Sequence, residues 1–135
     1  MATFRNLLTL IGAALLPMLL LNSICAVALF EASRHAGLPF SSDIAHAAFV
    51  FTGFLGAAVA GVIAGVVLQV ARPRAWGWLL AVVVFLEGGG LITVGFWYGS
   101  LADALLAAAS ALLASLSYFA TRARQTRNRM AVSAR

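Results

Sequence analysis

The chain has 135 residues, of which 63% are apolar and only 10% are charged. A soluble domain of this size cannot hide so much apolar surface in a single core, so we expect lipid to be the solvent for most of the chain. A helix needs about 20 apolar residues to cross the hydrocarbon layer of a bilayer. Four crossings with short connections use nearly the whole sequence and exclude a separate soluble domain.

Four apolar segments stand out along the chain. They predict an all-α, integral membrane bundle of four transmembrane helices, at about residues 7–30, 45–70, 76–98 and 101–120. The connections at 71–75 and 99–100 are very short, so we expect the helices to form two hairpins. The transmembrane domain would cover residues 1–121, and residues 122–135 would form a basic cytoplasmic tail with too little apolar content to pack alone.

The arginines orient the predicted helices. Positive residues beside membrane segments resist translocation, and with the N-terminus inside only Arg34 of the nine arginines would lie outside. Interfacial aromatics give the same orientation, because Trp76 and Trp78 would mark the inner interface and Trp97 the outer one. We therefore expect both termini in the cytoplasm, and positive-inside topology without lysine is compatible with a bacterial inner membrane.

The positive charge of the chain, formally +5, is carried entirely by arginines, nearly all of which flank the apolar runs. We attribute it to topology and expect no nucleic-acid partner. Anionic lipid headgroups are the expected contact. The arginines that would lie at the inner helix ends are Arg72, Arg74, Arg122 and Arg124.

The first apolar segment has an alternative interpretation as a signal peptide. A basic start, an apolar run and the Ala-Val-Ala tripeptide at 26–28 fit a cleavage site. The run from Leu7 to Ile24 is longer than the usual signal core of about 7 to 15 residues, and it continues to Phe30. Cleavage would leave three crossings.

The second predicted helix carries small residues at strict four-residue spacing, with a second row of small residues beside them. A face of this kind lets another backbone approach closely, and in lipid such packing replaces the hydrophobic drive that holds soluble helices together. Packing within one bundle and packing in an oligomer or larger complex both account for it. The predicted packing face consists of Gly53, Ala57, Gly61 and Gly65, and the second row consists of Gly56, Ala60 and Ala64.

Glu87 lies at the centre of the third apolar segment, at the expected bilayer midplane. Placing a charged carboxylate there costs about 2.5 to 3.5 kcal/mol, so an intramembrane acid is a functional hypothesis by default. Burial favours the neutral acid, which can donate one hydrogen bond to another helix; proton coupling or cation binding is the alternative. The potential partners at similar depth are Asn22 and Ser110, and no basic residue shares that depth.

Three glycines at 88–90 follow directly after Glu87. Each costs up to about 1 kcal/mol in a helix relative to alanine. Either the helix unwinds beside the acid, or a neighbouring helix approaches closely. We favour close approach, because the helix has to continue to Trp97.

The sequence predicts no metal site and no cofactor. Glu31 and His35 are four residues apart and His46 follows Asp43 by three, but two histidines without fixed spacing are weak evidence for a metal. Asp43 is instead expected to cap the second helix. The lone Cys25 has no disulfide partner and is expected to be a small buried apolar residue.

No arrangement of residues indicates an enzyme, since the chain lacks a nucleophile with a base, paired carboxylates and a phosphate-binding glycine loop with a lysine. We expect a non-catalytic accessory or assembly subunit that packs within the bilayer, as a homo-oligomer or in a larger membrane complex. The alternative is a proton-coupled carrier for a small cationic or lipophilic substrate, working as a homodimer with Glu87 as the exchangeable site.

In length, helix number and a single membrane-embedded glutamate, Glu87, the chain is similar to the small multidrug resistance exporters. The similarity has a limit, because those proteins carry the glutamate in the first helix and Glu87 lies in the third. The resemblance implies only that four helices and one acid can drive antiport when two copies meet.

Overall fold

The computed structural model describes residues 1–37, 42–68, 70, 72–95 and 101–135, except the side chains of 42–43 and 88–95. Within this part the chain forms four helices and no strand, which confirms the predicted all-α class. The helices are α1 (Ala2–Ala36), α2 (Ser42–Val67), α3 (Pro73–Gly95) and α4 (Leu101–Ser133).

Three of these helices are long and apolar enough to cross a membrane, namely α1, the Ile44–Val67 part of α2, and α4. Large apolar side chains also cover the outside of the bundle. Leu16, Phe51 and Leu116 are each about two-thirds exposed, at 70%, 69% and 65%. An exposed apolar surface of this extent matches lipid rather than water as the surrounding solvent. The end of the predicted third crossing, residues 96–98, lies outside the described residues.

The ends of two helices differ from the prediction. Helix α3 begins at Pro73, which was assigned to the preceding turn, because proline fits the first position of a helix, where no backbone donor is needed. Helix α4 continues to Ser133, 13 residues beyond its predicted end at residue 120. The sequence from 121 to 133 contains neither glycine nor proline and is rich in arginine and alanine, both good helix formers. The predicted basic tail is therefore largely a helical extension of α4.

Helix α1 is also longer than expected and ends in a defined cap. Gly37 adopts the left-handed conformation, with φ of 62°, and its N–H donates to the Ser33 carbonyl over 3.1 Å. Glycine is the residue that takes this conformation without steric cost. Further inside, α1 passes through the buried Pro17, and α3 remains helical through the glycines at 88–90.

The helices pack in the order α1, α2, α4, α3. Helix α2 makes its most extensive contacts with α4 and α1, α3 packs mainly on α4, and a smaller contact joins α1 to α3. The centre is filled by fully buried side chains from α1, α3 and α4 together with small residues of α2. These include Leu10, Ala14, Leu80, Val84 and Tyr118, with Ala57 and Ala64 from α2.

The contacts also fix the relative directions of two helix pairs. Asn22 and Met18 on α1 lie beside Thr52 and Gly56 on α2, so these two helices run in opposite directions. On the other side of α2, Gly61 lies against Ala114, while Gly65, further along, lies against Thr121. Helices α2 and α4 therefore run parallel and present one long interface.

Candidate functional site: Glu87 and the polar groups of the bundle

Glu87 lies on the inward side of α3. It follows Leu80 and Val84, which are both completely buried, at the seven- and three-residue spacings that keep side chains on one helix face. Its two carboxyl oxygens are covered by protein, and neither has a hydrogen-bond partner among the described residues. A covered acid without a fixed partner is chemically able to hold a proton or to receive a cation.

The two expected partners of Glu87 form hydrogen bonds elsewhere. Asn22 accepts a hydrogen bond from the Thr52 hydroxyl over 2.7 Å, which links α1 to α2. The buried Ser110 hydroxyl donates to the Ala107 carbonyl of its own helix over 2.8 Å. The structure therefore assigns these two polar groups to the scaffold and leaves Glu87 apart from them.

The predicted packing face of α2 lies mainly against α4 of the same chain. A methyl group added at Gly61 would collide with the Ala114 carbonyl and stand 2.7 Å from Ser117 Cβ. At Gly65 it would stand 2.8 Å from Thr121 Cβ. Glycine is needed at both positions because the two backbones nearly touch.

The remaining small residues of α2 fall into two groups. Ala57, Ala60 and Ala64 are completely buried, and a methyl group at Gly56 would lie 2.9 Å from Met18 Cγ of α1. Gly53 differs, since an added methyl group there would meet nothing within 4 Å. The intramolecular contacts thus begin only beyond Gly53, although its spacing is the same as that of Gly61 and Gly65.

Arg122 caps the end of α2. Its guanidinium donates to the Leu68 carbonyl over 3.1 Å, and the side chain is half-buried. The last carbonyls of a helix lack partners within the helix and carry partial negative charge, so an arginine there is favourable. The other three arginines expected to contact lipid headgroups, Arg72, Arg74 and Arg124, are exposed.

A contact between His46 and Asp103 was missed by sequence reasoning. His46 Nε2 lies 3.3 Å from Asp103 Oδ1, with the Asp103 side chain 3% exposed. The two residues are far apart in sequence, and only the parallel packing of α2 and α4 brings them together. The one available signal was that each lies near the start of its predicted helix.

The remaining polar residues at this end give no metal site. His35 and Glu31, one helical turn apart on α1, approach to 3.8 Å and are both exposed. Across the described residues, no group of three or more histidine, cysteine, aspartate or glutamate side chains could hold a metal ion. Asp43, the expected cap, has its side chain outside the described part, and Cys25 is half-buried with a free thiol.

Tyr118 is a second buried polar group without a partner. The side chain is completely buried, and its hydroxyl has no hydrogen-bond partner in the described part of the chain. Its ring packs edge-on against Phe119 at a centroid distance of 5.4 Å. Gly77 of α3 lies directly beside both rings, where an added methyl group would be 2.5 Å from Phe119 Cζ. Tyr118 therefore acts through its bulk at the junction of α3 and α4.

Comparison of the chain with known protein families, with curated proteins and with solved structures gives no match.

Proposed function

We propose that the chain is a non-catalytic integral membrane protein that acts as an accessory or assembly subunit by packing against other helices within the bilayer. The observation that carries this proposal is the covering of Glu87, whose two carboxyl oxygens are shielded by the bundle itself. A carrier needs a water-filled route to its exchangeable acid from one side. A subunit whose role is packing needs the acid covered.

The proposal includes four crossings in two hairpins, with both termini in the cytoplasm of a bacterial inner membrane. The bond from Arg122 to Leu68 supports this topology, because it brings the basic end of α4 beside the end of α2. Arg72 and Arg74 follow immediately in sequence, so the arginines gather at one end of the bundle. The positive-inside rule assigns such an end to the cytoplasm, where anionic headgroups are available.

The surface available to a partner follows from the internal packing. Since α4 and α1 cover most of the small residues of α2, a partner helix would contact the outward side chains instead. On α2 these include Phe51, Leu55 and Val62, all exposed, with the open Gly53 close by. We propose another membrane protein, or a second copy of this chain, as the occupant.

Purification of the tagged protein in mild detergent, with mass spectrometry of what accompanies it, tests this proposal. Stoichiometric recovery of one or more other membrane proteins is the expected result. The control is Leu16→Ala on α1, which changes an exposed side chain on another helix and should retain the partners, whereas Phe51→Ala should lose them. Recovery of a lone monomer in several mild detergents and in native lipid particles would contradict the proposal.

A second function, a proton-coupled carrier acting as a homodimer, is favoured by one specific observation. Neither oxygen of Glu87 has a hydrogen-bond partner within the described residues, so the fold makes no evident use of the acid. Burying an unpaired polar group is unfavourable, and such groups usually persist where function requires them.

Glu87→Gln separates the two functions, because it keeps the shape and hydrogen-bonding capacity of the side chain while removing titration. The accessory role predicts an unchanged set of co-purifying proteins. The carrier predicts that proteoliposomes with an imposed proton gradient accumulate tetraphenylphosphonium with wild-type protein and lose this accumulation with the variant. Glu31→Gln, a change at an exposed acid, is the matched control. Equal accumulation in wild type and Glu87→Gln would exclude the carrier.

A further inference from the structure

The pair formed by His46 and Asp103 joins the first turns of α2 and α4. The distance from Nε2 to Oδ1 is 3.3 Å, and the side chains are 22% and 3% exposed. A carboxylate so far removed from solvent depends on its neighbours for compensation of its charge. Protonation of the histidine turns a neutral contact into an ion pair, which changes that compensation by a full charge.

The pair lies at one end of an interface whose other end is held differently. Near the far end of α2, Gly61 and Gly65 bring the two backbones together, and Arg122 donates to the Leu68 carbonyl. These contacts contain no group that titrates near neutral pH. Between them and the pair, Gly53 faces open space within 4 Å of an added methyl group. The half of the interface next to the pair is therefore the less closely packed one.

We propose that the pair of His46 and Asp103 is a proton-responsive latch: protonated His46 holds the first turns of α2 and α4 together, and loss of that proton lets them separate. The tightly packed half around Gly61 serves as the fixed end about which the other half opens. This inference goes beyond the proposed function and depends neither on the subunit role nor on the carrier role.

The sign of the effect follows from the charges of the pair. While Asp103 is ionised, acidification charges His46 and strengthens the contact, so the latch closes as pH falls through the histidine's titration and opens as pH rises. The other charged groups at this end are exposed on α1, namely Glu31, Arg34 and His35. Their influence is screened by solvent and salt. Asp43 and Tyr98, the other titratable residues nearby in sequence, have side chains outside the described part.

Distances between spin labels test the latch. The labels would be placed on α2 at Ala47 and on α4 at Leu105, both exposed, in a Cys25→Ala background and in lipid nanodiscs. Pulsed electron resonance is then recorded at about pH 5.5 and about pH 8, since histidine changes charge between these values. We expect one short distance at the lower pH, with a longer one at no more than about 10% that grows at the higher pH.

Three variants make the test decisive. His46→Gln should remove the pH dependence, His46→Arg should hold the short distance at both pH values, and His35→Gln should behave as wild type. The Arg variant keeps the charge, so it still tests the latch if the Gln variant does not fold. A constant wild-type distance would overturn the proposal, and so would a pH-dependent shift that persists in His46→Gln or in His46→Arg.

Discussion

Gly61→Ala is expected to separate α2 from α4 and to destabilise the bundle severely. The added methyl group would collide with the Ala114 carbonyl and approach Tyr118 N to 3.0 Å. Both are backbone atoms of a helix, so they cannot move aside as the end of a flexible side chain can. Overpacking usually costs about 1 to 3 kcal/mol and sometimes more. We expect the upper end of that range, because relief requires the two helices to move apart.

The matched control for this change lies on the same helix and in the same row. Gly53→Ala adds the same methyl group where nothing lies within 4 Å, and alanine has the higher helix propensity. It should leave stability unchanged or raise it slightly. Thermal unfolding of both variants in the same detergent, followed by circular dichroism and size-exclusion chromatography, provides the comparison. Similar unfolding temperatures for the two variants would show that α2 does not pack on α4 at Gly61.

The second large effect is expected at Tyr118. Truncation to alanine removes a completely buried ring from the junction of α3 and α4, beside Gly77 and Phe119. Replacing a large buried aromatic side chain by alanine costs about 3 to 5 kcal/mol in soluble proteins, because the cavity collapses only partly. In lipid the loss of close packing has the same sign, since packing is the main force between helices there.

Tyr118→Phe is expected to act in the opposite direction. It keeps the ring and removes only the hydroxyl, which is buried without a hydrogen-bond partner among the described residues. Removing an unsatisfied buried polar group is neutral or stabilising, by about 1 to 3 kcal/mol at most. Reversible unfolding in mixed detergent micelles measures both variants against wild type. Strong destabilisation by the phenylalanine change would show that the hydroxyl has a partner in the folded protein.

The small residues of α2 show what the sequence could and could not predict. Four-residue spacing indicates a surface for close packing, and Gly61 and Gly65 do pack closely. Spacing is a local property and does not name the neighbour, which turned out to be α4 of the same chain. It also cannot distinguish Gly53, which has the same spacing but no close neighbour, because that difference depends on how the two helices diverge.

Polar contacts were predictable only where they are local. The approach of Glu31 and His35 follows from a helical turn, and α1 extends far enough to produce it. The contact between His46 and Asp103 depends on which helices are neighbours and in which direction they run, and the sequence carries no direct signal of either. The burial of Glu87 followed from its position in an apolar segment, whereas its separation from Asn22 and Ser110 did not.

Helix ends were the least accurate part of the prediction. Hydrophobicity marks where a helix leaves the lipid, not where its backbone hydrogen bonds stop. Helix α4 therefore runs on to Ser133 through a polar sequence that has good helix propensity. Arg122, expected to reach the headgroups, lies close enough to the end of α2 to cap it instead.

The parallel contact between α2 and α4 has a consequence for biosynthesis. Helices enter the membrane in chain order, so α1, α2 and α3 are present before the partner of Gly61 and Gly65 has been translated. During that interval the glycine surface of α2 is open to any neighbouring helix. Arrival of α4 withdraws it from competition, so the last helix to be made also acts as the chain's own protection against mispairing. Quality-control proteases would encounter an uncovered α2 only in chains whose synthesis stopped early.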